Sequence, residues 1–106
     1  MPLYLWQASY TASGAQGLIK DGGSKRRQVV QQMVEKAGGK LVSFYFAFGG
    51  SDVVGITEFP DAVTAAGLSL AVNASGATNL RSTVLLTPEE MDAATKKAVG
   101  YRPPGA

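Results

Sequence analysis

Lys40-Leu41-Val42-Ser43-Phe44-Tyr45-Phe46-Ala47-Phe48, then Gly49-Gly50-Ser51, then Asp52-Val53-Val54-Gly55-Ile56-Thr57-Glu58-Phe59: this stretch decides the fold. The first run is dense in aromatic and aliphatic residues and contains no proline, which marks a strand. Leu41, Tyr45 and Ala47 alternate with Val42, Phe44, Phe46 and Phe48. Strand side chains alternate between faces, so both faces of this strand are apolar and both are expected to be buried. The Gly-Gly-Ser link is short and turn-forming, so Asp52–Phe59 reads as the return strand of an antiparallel hairpin. One face of the hairpin can meet helices. The other needs a second sheet, and the rest of the chain has no spare strands. A partner subunit can supply it.

Upstream, Gly38-Gly39 stops a helix that Ser24 opens. Val29, Val30, Met33, Val34 and Ala37 fall on one face, and Lys25, Arg26, Gln28, Gln31, Gln32 and Lys36 mostly on the other. Asp21-Gly22-Gly23 breaks the chain before it. Thr11 and Ser13 can cap a short helical segment through Ile19, which Gly14 and Gly17 weaken. Leu3–Tyr10 reads as a strand, with Tyr4, Trp6 and Tyr10 on one side and Leu3 and Leu5 on the other.

Downstream, Pro60-Asp61 starts a helix of small apolar residues, including Val63, Ala66, Leu70 and Ala71, through about Asn73. Asn79–Leu86 is a fourth strand. Thr87-Pro88-Glu89-Glu90 has a cap, a proline at the first helical position and a capping glutamate, so a last helix follows to about Val99. The order β-α-β-β-α-β plus a terminal helix is the split βαβ arrangement. It predicts an α+β, ferredoxin-like fold: a four-stranded antiparallel sheet with both main helices on one face, because crossovers are right-handed. Residues 1–99 form one domain, and 100–106, Gly-Tyr-Arg-Pro-Pro-Gly-Ala, form a loose tail.

A chain of 106 residues buries about two-thirds of its unfolded surface. Charged residues make up 17%, below the roughly 25% of soluble domains, which leaves little polar surface for a free monomer and favours self-association. The net charge of +2 gives no strong pull toward nucleic acid or membrane phosphates. Without cysteine there are no disulfides, thiolate nucleophiles or Cys-zinc sites. Without histidine the usual neutral-pH base and transition-metal ligand are missing, so neither a metal nor another cofactor is expected. The N-terminal Met-Pro-Leu-Tyr-Leu-Trp lacks a basic leader, and no run approaches the roughly 18 apolar residues of a membrane span. A cytoplasmic location is expected.

The hairpin also carries a family resemblance. Gly49-Gly50-Ser51-Asp52-Val53-Val54, followed by Glu58-Phe59-Pro60-Asp61, resembles the GYD-domain family, with its Gly-Tyr-Asp turn and acidic-x-Pro-Asp step. Met1-Pro2-Leu3-Tyr4, Gly17-Leu18-Ile19-Lys20-Asp21, Gly38-Gly39-Lys40 and Arg81-Ser82-Thr83 also look like family positions, so the similarity covers about residues 1–99. Where the family has its motif tyrosine, this chain has Ser51. The resemblance implies a dimeric α/β-barrel, in which two sheets meet face to face as a homodimer or larger oligomer. The family's activity is largely uncharacterised. Related barrels include cofactor-independent monooxygenases and isomerases, an analogy at the level of fold.

Asp52 is the candidate acid or base, at the strand start after the glycine turn; the alternative is that it bonds backbone N–H groups there. Lys20 or Arg81 can hold an anionic group, though each also suits a solvated helix end or a cross-sheet pair. Trp6 and Tyr45 can shape an apolar pocket, or belong to core and interface. Lys25-Arg26-Arg27 is the only basic cluster and reads as a solvated helix face rather than a nucleic-acid contact. Two readings follow. One is a homo-oligomer that binds a small apolar or anionic molecule or acts through self-association. The other is a cofactor-independent enzyme on a small carbonyl compound.

Overall fold

The computed structural model describes all 106 residues. The elements are β1 (Leu3–Tyr10), α1 (Ala12–Asp21), α2 (Gly23–Lys36), β2 (Lys40–Phe46), β3 (Val53–Glu58), α3 (Ala62–Ala74), β4 (Thr78–Leu85) and α4 (Pro88–Thr95). They form a four-stranded sheet in the order β2-β3-β1-β4, with every neighbouring pair antiparallel. This is the α+β ferredoxin-like arrangement that the element order predicts.

Local chemistry sets the helix starts. Thr11 accepts from Gly14 N, Asp61 Oδ1 accepts from Thr64 N at 2.7 Å, and Thr87 and Glu90 form a reciprocal capping box. Only Gly22, at φ +82°, separates α1 from α2, so the first crossover is a nearly continuous pair of helices rather than a short turn and a helix. Gly38, at φ +83°, ends α2 in the left-handed region that glycine enters at least cost.

The sheet and helices share a core of Tyr4, Trp6, Val34, Phe59 and Ala65. The Tyr4, Trp6 and Phe59 rings sit 6.0–6.2 Å apart in tilted and edge-on pairs, the favourable arrangement of aromatic quadrupoles. Along β1, Tyr4, Trp6 and Ala8 are buried under the helices, and Leu3, Leu5, Gln7 and Ser9 face the other way, partly exposed.

The strand that decided the fold departs from simple alternation. A bulge lies between Leu41 and Ser43 in the β2–β3 register. An extra residue at a bulge reverses the phase of everything beyond it. Leu41 and Phe44 therefore share the helix-covered side, whereas Tyr45 lies opposite Val54 on the open side. Phe46 follows Phe44, with the two rings 5.3 Å apart. Burial of both faces is not met within one chain: β2 is an edge strand, and Tyr45 is 70% exposed.

Only 11 of 106 residues are buried, so one chain leaves much of its apolar surface uncovered. Its radius of gyration of 16.8 Å exceeds the roughly 13 Å of a folded chain of this length. Every residue from Pro88 to Ala106 is exposed, α4 buries none of its side chains, and α4 ends at Thr95 rather than near Val99. The C-terminal segment thus extends from the body. No helix is long and apolar enough to cross a membrane.

Candidate functional site: an apolar cavity between helices and sheet

A cavity of about 80 Å³ lies between α2, α3 and the covered face of the sheet. Val30, Met33 and Val34 of α2, Leu68 and Val72 of α3, and Trp6 and Phe44 of the sheet supply much of its apolar wall. Two sequence features open the space. Gly55 lies opposite both Trp6 and Phe44 in the register and has no side chain of its own to fill the centre of the sheet. The helix above it, α3, presents small residues, with Ala65 buried in the core.

Four polar side chains line this space: Tyr10, Arg26, Thr57 and Thr78. Thr57 is satisfied, since its Oγ1 accepts from Trp6 Nε1 at 2.7 Å. Thr78 is buried at 6% exposure, and its Oγ1 has no hydrogen-bond partner. Tyr10 and Thr78 are direct cross-strand neighbours on β1 and β4. Burial pushes the Tyr10 phenol above its usual range; the nearby Arg26 guanidinium opposes that rise and the Asp52 charge adds to it. Tyr10, Arg26 and Thr78 thus make one polar cluster on an otherwise apolar wall. Nowhere do three His, Cys, Asp or Glu side chains gather as a metal site would need.

Of the five residues singled out in the sequence, only Trp6 lines the cavity. Asp52 lies just before β3, where its Oδ2 accepts from Tyr10 N at 2.8 Å and its own N–H donates to Ala8 O at 2.8 Å. It ties the end of β1 to the hairpin. Arg81 lies opposite Gln7, and its Nη2 donates to Ser51 Oγ at 3.4 Å. Tyr45 is on the open side of the sheet, and Lys20 is exposed on α1. The structure does not bring these five together.

Arg26 and Thr78 carry the polar end of the cavity without having been singled out. In the sequence Arg26 reads as part of a solvated basic cluster, but it falls in helical phase with Val30, Met33, Val34 and Ala37, and that spacing is a readable signal. Thr78 gave none, because its place under the helices depends on its pairing with Tyr10.

The class of protein is therefore a ferredoxin-like α+β domain with a small apolar cavity under its helices and an uncovered sheet face behind. Residues 4–95 match the GYD domain family, and the chain belongs to it. Ser51, at the place of the motif tyrosine, is buried at 9% exposure and receives the Arg81 bond. No curated protein and no solved structure shows significant similarity to the chain.

Proposed function

We propose that the protein works as a homo-oligomer whose subunits meet through the open faces of their sheets, as a dimeric α/β-barrel, and that each subunit offers its cavity to a small molecule. The observation that carries the reading is the uncovered apolar face itself. The register places Leu5 opposite Ile56, Val54 opposite Tyr45, and Leu3 opposite Leu85 on the side away from the helices. Apolar residues thus recur on all four strands of that face, among Gln7, Glu58, Arg81 and Thr83, and an uncovered surface of this kind marks an interface. The outer side of α3 adds a second apolar stripe, with Val63 82% and Leu70 73% exposed. It lies in the helix layer, so a sheet-to-sheet dimer leaves it free for a larger assembly.

Solution mass by light scattering over a concentration series tests the reading. The wild type should be a dimer or larger, and Ile56→Asp should be a folded monomer by circular dichroism. A wild-type monomer at all concentrations overturns it. The enzyme alternative has less support. Asp52 does not line the cavity, and one of its carboxylate oxygens is held by a backbone N–H.

A further inference from the structure

We propose that the cavity under α2 and α3 is a binding site for a short-chain carboxylic acid, its apolar end enclosed by the cavity and its carboxylate held by Arg26, Thr78 and Tyr10. This deepens the small-molecule part of the function proposed above and does not depend on the oligomer.

Three observations converge on it. First, 12 of the 16 residues around the cavity are hydrophobic when the Tyr10 ring is counted among them. A water needs two to four polar partners to be held in a buried space, so most of this volume suits carbon rather than water. About 80 Å³ is roughly half the size of an apolar cavity that accepts benzene, which limits the enclosed part to a few carbon atoms. Second, Thr78 borders that space and its buried hydroxyl has no partner, although buried hydroxyls are nearly always bonded. An oxygen of a ligand would satisfy it. Third, Arg26 is partly buried beside the cavity and forms no ion pair; the molecule's one salt bridge joins Lys25 to Asp21. A guanidinium on an apolar rim without a carboxylate of its own suits a planar anion, which it can grip with two parallel N–H bonds.

Arg26 is the cation facing this point, and Asp52 is the one anion near it, acting on Tyr10 from the hairpin side. Tyr10 stays a neutral phenol and can donate. The Asp52 Oδ2 is taken up by the Tyr10 N–H. The carboxylate would be met by a cation and two hydroxyl donors.

The test is an NMR titration of the full chain with butyrate, with 1-butanol as its neutral counterpart, on samples whose mass is checked by light scattering. Butyrate should shift the signals of Thr78, Tyr10, Val30 and Leu80 saturably, and 1-butanol should bind much more weakly. Arg26→Gln should weaken butyrate about tenfold or more while leaving 1-butanol unchanged, since it removes a charge-assisted bond. Thr78→Val keeps the shape and removes the hydroxyl, so it should weaken butyrate and raise the melting temperature of the free protein. The inference is overturned if butyrate gives no saturable shifts, if shifts map outside the cavity, if both probes bind equally, or if Arg26→Gln leaves butyrate affinity intact. A monomer that binds butyrate in this way would overturn the oligomer and leave the site standing.

Discussion

The indole Nε1 of Trp6 donates to Thr57 Oγ1 at 2.7 Å, joining two buried side chains 51 residues apart on neighbouring strands. It is the only tryptophan, and its N–H has lost water as a partner. Thr57→Val keeps the shape and removes the acceptor. A buried donor left unsatisfied costs about 1–3 kcal/mol. Urea unfolding followed by Trp6 fluorescence should show a lowered midpoint with an unchanged slope. An unchanged midpoint would mean that the bond contributes nothing net.

Gly14 is the one buried residue of α1. A Cβ there would overlap the carbonyl of Ala77, just before β4. Backbone cannot move aside as a flexible side chain can, so Gly14→Ala should destabilise by about 1–3 kcal/mol through overpacking. Gly17→Ala, with open space around it, should stabilise, because alanine is the better helix former. Opposite shifts of the two midpoints in urea would confirm the packing of α1 on the β4 start.

Asp61 caps α3, and the Thr64 backbone N–H bonding its carboxylate holds its pKa below the usual carboxylate value of 3.8. A depressed folded pKa means that the charged cap stabilises above the unfolded pKa, and that this contribution is lost as pH falls through the folded pKa. Asp61→Ala should therefore melt lower than wild type at pH 7. The difference should shrink as the pH drops below about 4, measured by thermal denaturation across that range.

Tyr10 responds at the other end of the scale. Burial raises its folded pKa above 10.0, so the neutral phenol's contribution is fully present below pH 10 and is lost as pH rises from there through the folded pKa. Absorbance titration should show a late-ionising component that is lost in Tyr10→Phe. The same variant should lose less stability than wild type in the alkaline range. If Tyr10→Phe leaves the late part of the titration unchanged, the burial of Tyr10 beside the cavity is refuted.

The sequence by itself determined the elements and their order. Caps such as Thr87 with Glu90, and glycine stops such as Gly38, act over a few residues, so their outcome is written locally. The hairpin and the split βαβ order followed from strand and helix periodicity, and the family resemblance rested on the same stretch. What tertiary structure decided depends on partners far away in the chain. The bulge at Leu41/Ser43 put Phe44 over the cavity and Tyr45 on the open side, which plain alternation cannot foresee. Pairing of Thr78 with Tyr10 and the seating of α2 on the sheet brought Thr78, Tyr10 and Arg26 to one wall. Lys20, Tyr45 and Arg81 lie outside the cavity. Periodicity states which side of its own element a residue occupies; which residues meet there is set by register and docking, and those are properties of the whole sheet.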